Sequence, residues 1–204
     1  MVYVQLEKTD YEVLTFLISD INKEYSIREL SQHLKRPYVK VYNSIKRLQK
    51  QKIILITVKG KSHYCMINYK NNIDIVCFIE YQKTKGFLKS NKKIKLIVDE
   101  ITRSVKTPNY SLVLFGSYAK GTADKHSDLD IAIITSSEDK EEAERAINTI
   151  KRLSSIEIHS IEFTFKNFIE MLISKENNVG KEIIKNPIII KGAEQFHESI
   201  NLSK

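Results

Sequence analysis

The 204-residue chain has no tryptophan, two cysteines, three prolines and six glycines. Cys65 and Cys77 stand in neither a CxxC nor any other ligand spacing, which excludes a disulfide scaffold and a thiolate metal cluster; two reduced, buried thiols are expected. No run of about 18 apolar residues occurs, so neither a transmembrane helix nor a membrane partner is expected. The opening MVYVQLEKTD has no basic segment followed by a long apolar one, so no signal peptide and a cytoplasmic location are expected. Internal repeats and low-complexity segments are absent as well. Hydrophobic residues make up 42% of the chain, enough to bury one large core or two small ones and too many for a disordered segment.

Acidic charge is missing from one long stretch. The net charge is +8, from 33 Lys and Arg against 25 Asp and Glu, but it is unevenly spread. Residues 1–70 hold 13 basic and 6 acidic residues, 71–110 hold 8 and 4, and 111–204 hold 12 and 15. Between Glu29 and Asp74 there is no acidic residue and there are ten Lys or Arg. A solvated face normally mixes both signs. A polyanion partner is the sharper reading for this segment, with protein docking as the alternative.

Apolar residues at Tyr11, Val13, Leu14, Leu17 and Ile18 predict a first helix over 10–18. Ser26 with Glu29 three residues later is a capping-box pattern that opens a second. After a break at Lys35 and Arg36, Pro37 suits the first turn of a third, since its missing N–H costs nothing there. On that helix Val41, Ile45 and Leu48 form an apolar stripe, and Arg36, Lys40, Asn43 and Arg47 line the other side; Tyr38 and Tyr42 are either core aromatics or base-stacking groups. Two β-rich runs around Lys59-Gly60-Lys61-Ser62 predict a hairpin. Three helices and a hairpin with a basic tip resemble a winged helix-turn-helix of archaeal and bacterial regulators, over about residues 8–70. That resemblance implies DNA as a partner, with Lys40, Asn43, Ser44 and Arg47 reaching the groove and Lys59, Lys61 and His63 on phosphates. A homodimer is a further expectation. Residues 71–107 predict two helices, with Gly86 as a hinge.

Downstream, SLVLF (111–115) and Leu129–Ile134 predict two buried strands. Between them lie Gly116-Ser117 and then Asp128-Leu129-Asp130. Glycine at a strand end lets backbone approach a ligand, and Ser117 can offer its hydroxyl and nearby N–H groups to phosphate. Asp128 and Asp130, two apart, share a face and can hold hard divalent cations. With its flanking strands, GSYAKGTADKHSDLD resembles the minimal nucleotidyltransferases of the DNA polymerase β superfamily, over about residues 90–204.

The resemblance implies an α+β architecture: a winged helix-turn-helix (1–70), a linker helix (71–89) and a nucleotidyltransferase domain (90–204) with a mixed sheet flanked by helices. It implies transfer of a nucleoside monophosphate from a nucleoside triphosphate (NTP) to a hydroxyl, with two Mg²⁺ ions on Asp128 and Asp130. Gly116, Ser117 and Lys120 would bind the nucleotide. Glu157 is the preferred third carboxylate and Glu162 the alternative, on opposite faces of one strand; His126 and His159 read as plain loop and strand residues. Some members of the family are antitoxins that modify a HEPN-type toxin, so a protein acceptor and a toxin–antitoxin role follow by resemblance. The other function class is a DNA-binding regulator whose second domain only senses nucleotide. For DNA bound through five or six phosphates, log affinity should fall with log salt at a slope of about −5 in an anisotropy titration. A flat response contradicts the DNA reading.

Overall fold

A computed structural model describes residues 5–19, 21 and 23–203; residues 1–4, part of the stretch expected to carry no leader, lie outside it. The chain packs as two units, residues 1–79 and 80–204.

In the first unit α1 (Lys8–Ser19) buries Val13, Leu14, Leu17 and Ile18. The capping box before α2 (Ile27–His33) forms as its spacing predicts: Ser26 Oγ accepts from the Glu29 N–H at 3.2 Å, and the Glu29 carboxylate accepts from the Ser26 N–H at 2.7 Å. Pro37 occupies the capping position of α3 (Tyr38–Lys50) rather than its first turn, with ψ at 136°. A short β1 (Tyr25–Ser26) pairs antiparallel with β3 (Ser62–Ile67), which pairs antiparallel with β2 (Ile54–Lys59), giving the order β1-β3-β2. Only Gly60 of the two turn residues has positive φ, +61°, the pattern of a type II′ hairpin turn. This unit is a winged helix-turn-helix.

Two of the cations assigned to the outer face of α3 are already paired with carboxylates. Arg36 forks onto Glu12 at 2.6 and 2.8 Å, and this bond holds the Glu12 carboxyl below its usual pKa. Arg47 reaches Glu7 and the buried Asp10, both at 2.9 Å. Asp10 also accepts from Ser44 Oγ at 2.5 Å and from the Glu7 N–H at 2.9 Å. A buried carboxylate needs such partners, so Ser44 and Arg47 are fastenings between α1 and α3. The reading of Ser44 as a groove contact is corrected: it is fully buried.

α4 (Ile73–Ser90) runs unbroken through Gly86, so that glycine is no hinge. In the second unit the sheet order is β6-β5-β4-β7, from β4 (Tyr110–Leu114), β5 (Leu129–Thr135), β6 (Ile158–Thr164) and β7 (Ile188–Lys191). β5 runs antiparallel to β4 and parallel to β6, and β4 antiparallel to β7, so the sheet is mixed. One face carries Leu112, Leu114, Leu129, Ile131 and Ile133 against α5 (Lys92–Ser104) and α7 (Lys140–Leu153). Elsewhere in this unit Phe168 of α8 (Phe165–Ile173) packs on Phe196 of α10 (Ala193–Leu202), ring centroids 5.6 Å apart. Among the described residues no helix is long and apolar enough to cross a membrane.

Asp10→Ala removes the shared acceptor of Ser44 and Arg47 and should cost the first unit about 2 kcal/mol. Chemical denaturation monitored by a probe in that unit should show a lower midpoint with unchanged slope; an unaltered midpoint would show the network to be dispensable.

Candidate active site

The short helix α6 (Gly116–Lys120) follows β4, and the Phe115 N–H donates to the Asp130 carbonyl at 3.1 Å, tying the glycine turn to the beginning of β5. Gly116 has φ +69°. A β-carbon there would overlap Asp130 Oδ2 and stand 2.8 Å from its Cγ. No other residue type fits this position, because the carboxylate uses the space a side chain would take. Asp130 is half-buried; Asp128, just before β5 and exposed, shares its face by strand alternation.

The register of β5 and β6 decides which later residues join them. Asp130 pairs with His159 across the parallel ladder, and His159 Nδ1 lies 3.2 Å from Asp130 Oδ1. Glu157, two positions earlier, falls on that same face, and with Asp128 and His159 it lines a depression of about 450 Å³. Glu162 pairs with Ile133 and faces the other way. His159, which reads as a plain strand residue in the sequence, is the side chain brought against Asp130. Among the described residues no three His, Cys, Asp or Glu side chains are grouped closely enough to hold a metal ion. Glu157 therefore lines the same depression as Asp128 without closing a three-carboxylate cluster. Lys120 is exposed and lies 3.5 Å from Glu182 of α9 (Val179–Ile183). The bond Glu182 accepts from Lys185, with Lys120 adding attraction, keeps its carboxyl below the usual range.

Residues 92–187 match the model of the nucleotidyltransferase domain family. The second unit carries a nucleotidyltransferase domain. The match begins with α5 and ends just before β7, so it contains the Gly116–Asp130 contact, His159 and Glu182. Comparison with curated proteins finds no match. A solved structure described as TrmBL2, an archaeal chromatin protein with a novel mode of DNA binding, is similar at a TM-score of 0.30 and 13% identity over 87% of this chain and 69% of that one. A likeness that distant carries no argument.

Outside the nucleotidyltransferase domain, the exposed side of α3 presents Tyr38, Val39, Lys40, Tyr42, Asn43 and Lys46. Tyr38 and Tyr42 are 49% and 37% exposed, so they are not core aromatics; their rings stack at 6.1 Å, and Lys46 Nζ lies 5.6 Å from the Tyr42 ring. Lys59 pairs with Glu24 at 2.6 Å, which lowers the Glu24 pKa, whereas Lys61 and His63 are exposed near the wing tip. Lys40, Lys46 and Lys61 have no carboxylate partner among the described residues. Burial pushes the Cys65 thiol up to about 12, an inert group.

Gly116→Ala should displace Asp130 and abolish divalent-cation binding measured by calorimetry. Gly121→Ala is the control: its φ is +72° but nothing lies within 4 Å, so it should lose only about 1 kcal/mol of stability and keep binding. Equal behaviour of the two variants would contradict the packing argument.

Proposed function

We propose that the second unit transfers a nucleoside monophosphate from an NTP to a hydroxyl acceptor, while the first unit grips DNA. The observation that supports the enzyme reading most is the Asp130 carboxylate lodged against side-chain-free Gly116, with Asp128 on the same face. Two carboxylates beside an open turn are hard oxygen donors suited to Mg²⁺, which is held by few protein ligands and completes its shell with water and phosphate. Asp128 and Asp130 would hold the ions, two being expected, and the ions would supply charge neutralisation to the triphosphate.

Gly116 leaves room for a phosphate to approach the backbone, and Ser117 donates its hydroxyl to a phosphate oxygen. Lys120 can add a cation once it leaves Glu182, a weak and exposed pair. The acceptor oxygen attacks the α-phosphorus, the bond to the β-phosphate oxygen breaks, and pyrophosphate leaves. Glu157 takes the acceptor proton. A protein hydroxyl, such as that of a HEPN-type toxin, is the acceptor class favoured by the family resemblance.

For DNA, the structure shifts the candidate contacts. Lys40 and Asn43 stay on the exposed side of α3, now joined by Lys46 and the tyrosine pair, and Lys61 stays at the wing. Arg47 and Lys59 already carry acidic partners. A second reading, nucleotide sensing without transfer, is favoured by the lack of a three-carboxylate cluster among the described residues. It is distinguished by nucleotide that alters DNA affinity with no pyrophosphate release.

Incubated with Mg²⁺, each α-labelled NTP and cell lysate, the wild-type protein should pass label to an acceptor and release pyrophosphate. Asp128→Ala/Asp130→Ala should lower this at least a hundredfold. Transfer that persists in the double variant contradicts the assigned site.

A further inference from the structure

The nucleotidyltransferase reading gives the triphosphate a place and leaves the base without one. Lys120, the candidate phosphate contact, also lines a cavity of about 330 Å³ beside α6. Phe87, near the end of α4, and Asn91, just after it, line the same cavity, as do Tyr118 and the loop residue Ala123. Phe87 and Tyr118 are half-buried and pack against the apolar core of this unit, which holds them in place. The volume is that of a small-ligand site, and two aromatic side chains with one amide suit a flat heterocycle.

Asn91 decides which heterocycle. It stands immediately before α5, where an asparagine usually turns its side-chain oxygen onto the free N–H groups of the helix. It makes no such cap. Instead its Nδ2 donates to the Phe87 carbonyl at 2.9 Å, which also accepts from the Asn91 N–H at 3.0 Å. Turned over, the amide would set its oxygen against that carbonyl, acceptor against acceptor, so its orientation is fixed. Oδ1 and the second Nδ2 hydrogen have no partner among the described residues. An acceptor beside a donor matches an amino group beside an unprotonated ring nitrogen. Adenine and cytosine present that pair on the edge away from the ribose. Guanine and uracil present a carbonyl beside a ring N–H there, which sets oxygen against Oδ1.

We propose that this cavity receives the base of the NTP, bonded through its amino edge to Asn91 and stacked on Tyr118. This rests on the nucleotidyltransferase reading. A two-ring base covers more aromatic surface than a one-ring base, so ATP is the expected substrate ahead of CTP. Lys120 joins the two ends of the ligand, its ammonium toward phosphate and its stem along the cavity.

The test is calorimetry of the full chain with Mg²⁺ and, in separate runs, non-hydrolysable analogues of ATP, CTP, GTP and UTP, and inorganic tripolyphosphate, which has no base. The ATP analogue should bind about tenfold tighter than those of GTP and UTP, with the CTP analogue between, and tighter than tripolyphosphate. Asn91→Leu should bring the ATP and GTP analogues within about twofold of each other. Tyr118→Leu should weaken the ATP analogue about tenfold. Unchanged tripolyphosphate binding in both variants shows the fold and the phosphate site intact. Nucleotide binding with no preference among bases, or a preference for ATP over GTP that survives Asn91→Leu, overturns the base site and leaves the nucleotidyltransferase reading in place. A CTP analogue bound tighter than ATP keeps the role of Asn91 and overturns the choice of a purine. Binding of no analogue and no tripolyphosphate overturns both readings.

Discussion

The Asp130 carboxylate stands where a β-carbon of residue 116 would be, and the geometry of this end of the sheet follows from that approach. β4 must end at Leu114, so that Phe115 can donate to the Asp130 carbonyl and the chain can turn through a positive φ at Gly116. The antiparallel pairing of β4 with β5 then puts the glycine turn and the carboxylate side by side. Parallel pairing of β6 adds His159 on the next strand. A buried apolar face, Leu112, Leu114, Leu129, Ile131 and Ile133 against α5 and α7, holds these strands in register, because a slip of one residue would carry the aspartates into the core.

The first unit shows a different constraint: how much of a formal charge is available to a partner. Its acid-free window suggests a broad cationic surface, but carboxylates from outside the window reach in. Glu12 holds Arg36, Glu7 and Asp10 hold Arg47, and Glu24 holds Lys59. Glu29 is used by the helix cap. What stays open on the exposed side of α3 is a more aromatic face, Lys40, Asn43, Lys46 and the stacked Tyr38 and Tyr42, with Lys61 near the wing tip, while Lys35, Lys50, Lys52 and Lys70 are exposed elsewhere.

Local features were legible in the sequence because their partners lie a few residues away. Ser26 with Glu29, the turn at Gly60 and the strand before Gly116-Ser117 all depend on neighbours, and all form. Ser44 was misjudged, and the pairing of Arg47 missed, because their partner Asp10 lies 34 and 37 residues earlier, and helical spacing alone does not say which helix a polar face meets. The acids of α1 that fall outside its apolar stripe were the available signal. His159 reads as a plain strand residue in the sequence because a parallel register across a helical crossover cannot be read from spacing. Alternation had already separated Glu157 from Glu162, and the observed pairing of Asp130 with His159 puts Glu157 on the side of the aspartates.

If the proposed nucleotidyltransferase site lies at Gly116 and Asp130, a triphosphate must rest there. The most direct measurement is a crystal structure of the full chain soaked with Mn²⁺ and a non-hydrolysable NTP analogue, with anomalous scattering recorded to find the metal. The account predicts an anomalous peak beside Asp130 and the triphosphate over Gly116 and Ser117. Nucleotide bound elsewhere, or a triphosphate at this turn with no metal beside Asp130, would contradict it.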